Sequence, residues 1–330
     1  MSLGLLPSLC TLMPLLLAGA RERTPPETWV SCTRLQNAIR ALPPTGGLVT
    51  VPAGVHVCRA PIVIDRDNVA LRGMGPASEL HLAEGGESPV LVIGQTTTVP
   101  TVTRRHIVVS DLTIDGNRTK QTFECFRGPC NETNALRNNG ISVRRAGDVL
   151  IERVTVKSAR SGGVVTELGS ERVTLRDVTV TDSFFDGVAG YETTNSLFSG
   201  LYLHDNLAAG FSFDIDFERN VISDVVITGS GSVGIFMRDA RDNVFTAMRI
   251  ADSVQHGIFV AQVDTDASTG ATGNSFTNMI VHSSGGAGIR VNDVSCVHNL
   301  VANSHFFANA GGNVSEASPG LVVQCCNVER

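Results

Sequence analysis

A glycine followed by an apolar, a variable and a second apolar residue recurs along this chain. It stands at Gly140 (Ile141, Val143), Gly163 (Val164), Gly187 (Val188), Gly210 (Phe211, Phe213), Gly234 (Ile235, Met237), Gly257 (Ile258, Val260), Gly288 (Ile289, Val291) and Gly320 (Leu321, Val323). The steps are 23, 24, 23, 24, 23, 31 and 32 residues. A fixed step of this length is the mark of a chain that stacks one small structural unit on the next. No unit can bury its own apolar face, so each neighbour supplies the core of the one before it. The two long steps carry insertions, the first of them the polar stretch 264–273.

Each period also holds an alternating run rich in β-branched residues, as in 149–156, 173–180 and 221–227. Such runs are strands. Coils of 22–24 residues with two or three short strands and no helix-length apolar stripe make an all-β, parallel β-solenoid. A leucine-rich repeat has a similar period, but it needs a Leu-x-x-Leu-x-Leu pattern where this chain uses Val. Asn195, Asn220, Asn243 and Asn274 sit beside strands at the same step, a spacing that lets their amides bond along the stack. Residues 33–42 have helical spacing (Leu35, Ala38, Ile39, Leu42) and stop at Pro43-Pro44. A helix there caps the first coil and covers its unpaired edge. Low aromatic content (5%) with 33 glycines fits this architecture. The expected organisation is one solenoid domain over 21–330, with cap and first strands at 33–60 and loop insertions at 115–139 and 264–273.

Residues 3–19 are mostly apolar and uncharged, and Ala18-Gly19-Ala20 is a small-residue cleavage pattern. Residues 1–20 therefore read as a signal peptide. An uncleaved anchor is the alternative, since the segment lacks a basic start, but Pro7 and Pro14 disfavour a spanning helix. The expectation is a secreted or extracytoplasmic protein, periplasmic or extracellular, with no stable membrane insertion once the leader is removed. In an oxidising compartment Cys32/Cys58, Cys125/Cys130, and Cys296 with Cys325 or Cys326 are candidate disulfides. Neither a C-x-x-C pair nor a histidine cluster points to zinc. The net charge of −6 excludes a general nucleic-acid binder.

The helix is followed by Gly46-Gly47-Leu-Val-Thr-Val-Pro-Ala-Gly54, then Leu71-Arg-Gly-Met-Gly75, then Leu112-Thr-Ile-Asp-Gly-Asn117, then the repeats. In this order the chain resembles secreted right-handed parallel β-helix proteins of the pectate-lyase-like superfamily, and among them the catalytic modules of mannuronan C5-epimerases. The resemblance runs over about residues 33–325. It implies a right-handed β-helix and an acidic polysaccharide as partner. The epimerases' Tyr-Gly-x-Asp-Pro-His run has no counterpart: Gly162-Gly163-Val-Val165-Thr-Glu167 stands in its place, and a second family aspartate falls at Tyr191.

Alternation along the strand after each glycine sends its first and third residues inward, its second and fourth outward. The fourth positions are Arg144, Glu167, Tyr191, Asp214, Arg238, Ala261, Asn292 and Gln324, so stacking lines up an Arg–Glu–Tyr–Asp–Arg stripe. Asp186 and His256 precede their glycines, and Asp216 follows in the next turn. In a uronate-active enzyme the arginines would bind carboxylates. Tyr191, with a pKa lowered by a nearby arginine, would serve as base or acid. The catalytic candidates are Tyr191, Glu167 and Asp214; the substrate-binding ones are Arg144, Arg238, Asp186, Asp216 and His256. Glu167 and Asp214, two coils and so about 9.6 Å apart, also approach the roughly 6.5–9.5 Å carboxylate pair of an inverting glycoside hydrolase. The third reading is a non-catalytic glycan-binding or structural β-helix, because outward residues on any solenoid are polar. No cofactor is expected; Asp264 and Asp266 could bind a Ca²⁺ ion with nearby carbonyls, the alternative being a polar loop.

Overall fold

In a computed structural model describing residues 31–122 and 136–329, the chain winds into a parallel β-helix. Short strands from successive coils stack in register, and every strand pairing is parallel. One face is a ten-stranded sheet that runs from Ile62–Ile64 through Leu91–Gly94 and Ile141–Arg144 to Val314–Glu316. The other strands, including the long Arg104–Asp115 and Ala146–Lys157, build the remaining faces. The leader expected at 1–20 and the Cys125/Cys130 pair lie outside the described residues.

The repeating glycine has a steric cause. A Cβ on Gly140, Gly163, Gly187, Gly234 or Gly257 would lie 2.5–2.7 Å from the carbonyl oxygen of the next coil's equivalent residue. The coils touch backbone to backbone at this corner. Only glycine fits, and the repeat is the sequence record of that contact. Gly320 is a false member of the series. Ile289 pairs with Val314, so Asn313 holds the repeat position, and the strand after Gly320, Val322–Cys325, stacks on Asn299–Ala302 in another face. Gln324 is therefore not part of the stripe.

Inside, first and third residues of the groove strands form one continuous core with Phe198, Phe211, Phe213, Phe217, Phe245 and Phe276, whose rings meet edge-on or stacked. A buried asparagine ladder links Asn220, Asn243, Asn274 and Asn299 through side-chain amides at 2.9–3.1 Å. Asn195 is not in it: Ser196 takes the rung and Asn195 is exposed in the left-handed region. Each ladder amide also accepts from the neighbouring coil's backbone N–H, so a polar corner stays satisfied inside the stack.

The helix spans Cys32–Ala41, capped by the Ser31 hydroxyl, and buries Cys32, Leu35 and Ile39 over the first coil. Cys32 and Cys58 form a disulfide between helix and strand. The expected bridge from Cys296 is not formed. Cys296 is buried in the core, whereas Cys325 and Cys326 are exposed on the last coil with their sulfurs 2.8 Å from each other. Among the described residues no helix is long and apolar enough to cross a membrane.

Candidate functional site

On the ten-stranded face the stripe assembles as the spacing requires: Arg144 lies beside Glu167, and Tyr191 beside Asp214. The parallel row, made of the second residues, runs Ser142, Val165, Ala189, Ser212, Phe236, Phe259 and Arg290. Alternation alone makes these outward residues exposed. Instead Ser142, Val165, Ala189 and Ser212 are buried, because side chains rise on both sides of them. Where the row is small, it floors a cleft of about 230 Å³. Arg137, Asn139, Ser161 and Phe185, from the segments before the strands, line one flank. Glu167, Tyr191, Glu192 and Ile215, at and after the strand ends, line the other.

The arginines are already committed. Arg144 is 2% exposed. It donates to the carbonyl oxygens of Gln95 (2.8 Å), Thr97 (2.9 Å) and Thr98 (3.4 Å), and its Nε to Glu167 at 2.9 Å. It fastens the 95–98 turn to the stripe and offers nothing to a ligand. Arg238 donates to Asp214, and its guanidinium lies 5.1 Å from the Phe236 ring centre. The cation that sequence reasoning missed is Arg137. It is exposed, lines the cleft, and makes no ion pair among the described residues. Its charge reaches Glu167, Asp186 and Tyr191. It sits in a loop ahead of the first repeat glycine, where no periodicity flags it. Arg118 and Lys120 of the same insertion pair elsewhere, with Asp182 and Glu84.

Burial controls protonation here. It raises the Glu167 carboxyl, against the pull of Arg144. It raises Asp214 against Arg238. Tyr191 is pushed well above the ordinary phenol range by burial, with Asp186, Asp214 and Glu167 adding to the shift. An arginine, Arg137, does pull the Tyr191 pKa down, but burial first and the carboxylates second outweigh it, so the net shift is opposite to the expected one. At neutral pH Tyr191 is a proton donor. Asp186 is 2% exposed and is pushed up to about 7, chiefly by desolvation. Its Oδ1 accepts from the Ala209 N–H at 2.9 Å, and its Oδ2 has no partner among the described residues.

Asp186 belongs to a repeated device. Asn139, Asp186 and His256 each precede a repeat glycine and accept from the next coil's backbone N–H, at Gly162, Ala209 and Ala287. His256 does so through Nδ1, stacks on Phe259 and is held neutral by burial and Arg290. Asp216 is turned outward to Arg241, which also binds Glu218 and Asp239. So Glu167 and Tyr191 share the cleft, Asp214 and Arg238 extend its stripe, Asp186 lies behind it, and Asp216 and His256 lie apart. Asp266 Oδ1 accepts from Ser268 N and Oγ, capping the short turn Ala267–Thr269. One potential metal-ligand group occurs among the described residues, Glu79, His81 and Asp115 on another face. Lys157 Nζ sits 3.0 and 3.3 Å from its two carboxylates, so an ammonium already holds the cation position.

No curated protein matches the chain. Among solved structures it is similar to the A-module of a mannuronan C-5 epimerase from Azotobacter vinelandii, with TM-score 0.72, 17% identity, and 91% of each chain covered. It is also similar to an endo-xylogalacturonan hydrolase from Aspergillus tubingensis, with TM-score 0.63, 10% identity, and 90% and 95% of the two chains covered. The enzymatically active domain of a bacteriophage CBA120 tailspike protein matches with TM-score 0.61 and 14% identity over 89% of this chain and 44% of that one. At these identities the likeness is one of fold. The sequence profile of the right-handed β-helix region matches residues 139–328, and the pairing of every coil agrees with it. The chain belongs to the right-handed β-helix family.

Proposed function

We propose that the chain is a secreted polysaccharide-active enzyme that cleaves an acidic, uronate-containing glycan by β-elimination in the cleft. The observation that carries this reading is the pairing of functions across the cleft: Glu167 and Tyr191 on one flank, and on the other Arg137, a cation with no ion pair among the described residues. Arg137 binds the uronate carboxylate and stabilises the negative charge that spreads into it when C5 loses its proton. Glu167, whose proton affinity burial raises against the pull of Arg144, takes that proton in its carboxylate form. The C4–O4 bond breaks as the C4–C5 double bond forms, and Tyr191 protonates the departing O4. The proton on Glu167 then restores the tyrosine.

Glu167 and Tyr191 occupy the same row on adjacent coils, so both act from one side of the sugar. Elimination needs no more than that where the C5–H and C4–O4 bonds lie on the same face of the ring. Epimerisation needs a donor on the opposite face, where the cleft presents Asn139, Ser161 and Phe185. The leader-like 1–20 segment and the Cys32–Cys58 disulfide support export.

A second reading, hydrolysis with Glu167 and Asp214 as the acid–base pair, draws support from the raised pKa of both carboxyls. The test is a screen of polyuronates and neutral glycans that follows ultraviolet absorbance of unsaturated products together with new reducing ends. The lyase reading expects both signals, with Tyr191→Phe and Glu167→Gln each lowering kcat by roughly 10²–10⁴-fold. Reducing ends without absorbance, lost in Asp214→Asn, would establish hydrolysis instead. Binding without any product would leave a glycan-binding β-helix.

A further inference from the structure

We propose that Cys325 and Cys326 form a reversible redox site, a disulfide between neighbouring residues that low-molecular-weight disulfides close and thiols reopen. The proposal stands apart from the polysaccharide reading. The two sulfurs are 2.8 Å apart and both side chains are exposed. The contact has its cause in the backbone of the repeat. Register links Cys325 to Ala302, Thr277 and Thr246, and further back along the same face to Glu152 and Ser110. The residue after each of these six is in the left-handed region, at φ of 51–60° from Asp111 and Arg153 to Asn303 and Cys326. A left-handed residue after a strand residue ends the strand's alternation, so the two side chains no longer point to opposite faces. Arg153 shows the result: its guanidinium binds Glu152, the residue just before it, at 2.8 Å. Cys325 and Cys326 make the same neighbour contact with two thiols.

A left-handed corner favours Gly, Asn or Asp. Asn278 and Asn303 meet that preference on the two coils before, and Cys326 does not. Conformation therefore gives no reason for a cysteine in this corner, whereas a bond to the neighbouring thiol does. Closure is a two-step exchange. One cysteine thiolate attacks a sulfur of the small disulfide, whose S–S bond breaks to release one thiol. The second cysteine thiolate attacks the mixed disulfide, which forms the Cys325–Cys326 bond and releases the second thiol. The cysteines give up two electrons, the small disulfide takes them, and the two cysteine protons end on the released thiols. Exposed disulfides are the readily reduced ones, so this bond opens under conditions that spare Cys32–Cys58, which is buried beneath the helix. The ring fixes the turn between Val322–Cys325 and Val328–Glu329. Each of these strands pairs with the coil before it, and no strand among the described residues stacks beyond them.

The test treats the native full chain with a mild reductant, equilibrates it with glutathione disulfide and traps remaining thiols with N-ethylmaleimide. Cleavage after Glu316 and Glu329 then gives peptide 317–329, which holds Cys325 and Cys326 and no other cysteine. The expected peptide is lighter than its dithiol form by two hydrogens and carries neither maleimide nor glutathione. Fresh thiol should restore both alkylation sites. Cys326→Asn gives the corner the residue that Asn278 and Asn303 already place there, so it preserves the turn while removing one sulfur. That variant should stop at a mixed disulfide of Cys325 with glutathione. Phenylarsine oxide, which bridges two adjacent thiols, should block both alkylation sites of the reduced parent and leave Cys325 of the variant reactive. Two maleimides on the parent peptide after oxidation would overturn the proposal. So would glutathione on both thiols, a bond from either thiol to another cysteine, or an arsenical that leaves both sites open.

Discussion

Replacing Asp186 by asparagine should stabilise the fold at alkaline pH and destabilise it at acidic pH. In the folded chain the carboxyl is 2% exposed and pushed up to about 7. In the unfolded chain an aspartate titrates near ~3.9. Below that value both states are protonated and the group adds no pH dependence. Between the two values the folded state binds the proton and the unfolded state does not, so stability falls as pH rises, by about 1.4 kcal/mol per unit. Above about 7 the whole penalty is present, on the order of 4 kcal/mol. Asparagine carries no such penalty. It keeps the oxygen that accepts from Ala209 and places an amide where Oδ2 has no partner, at a cost of about 1–3 kcal/mol. The variant should therefore be about 1–3 kcal/mol less stable than the parent near pH 4 and more stable by a similar amount near pH 8. Urea unfolding of both proteins across this range gives the difference. The other carboxylates titrate alike in the two proteins, so the difference isolates Asp186. A difference that stays flat with pH would refute the reasoning.

Gly234→Ala puts a Cβ 2.5 Å from the Gly257 carbonyl oxygen and 2.4 Å from Ile250 Cγ2, and should cost about 1–3 kcal/mol by overpacking, read from a lower urea midpoint at unchanged slope. Arg144→Met removes the donor from the Gln95 and Thr97 carbonyls and the partner from Glu167. It should cost about 3–5 kcal/mol and move the acid limb of the pH–rate profile upward, because Arg144 now holds the Glu167 pKa down. After mild reduction, alkylation mapped by peptide mass spectrometry should modify Cys325 and Cys326 in the native protein. Cys296, buried and with its thiol pushed up by desolvation, should react only after unfolding.

The solenoid was legible because its tightest contact is made by one residue type. A coil corner that admits only glycine writes a glycine at every turn, and the step then sets the register: Arg144 against Glu167 and Tyr191 against Asp214 follow from counting. The same rule explains the misreadings. The early groove strands Ile62–Ile64 and Leu91–Gly94 carry no such mark, and Val90 occupies the corner before Leu91. At the far end no strand among the described residues stacks beyond Val314–Glu316 in this sheet, so no such contact forces a glycine at Asn313, and the unrelated Gly320 fell near enough to the period to be counted.

The site was less legible, because its chemistry depends on which charges are already paired. Sequence placed two arginines on the stripe and so predicted anion clamps and an acidified tyrosine. Folding spends Arg144 on the 95–98 turn and Glu167, and Arg238 on Asp214. Tyr191 is left buried, with carboxylates outweighing Arg137 around it, and the sign of its pKa shift reverses. Alternation likewise located the second-position row but not its burial, which the rims decide. That row carries small residues from Ser142 to Ser212 and aromatic ones at Phe236 and Phe259. One position in the repeat thus floors the cleft at Val165 and Ala189 and carries a stacked aromatic pair at Phe236 and Phe259, because the backbone beneath is the same and only the side chain changes. The repeat fixes where a glycan could lie; the departures from it, at a position the core does not constrain, are where the chain is free to be specific.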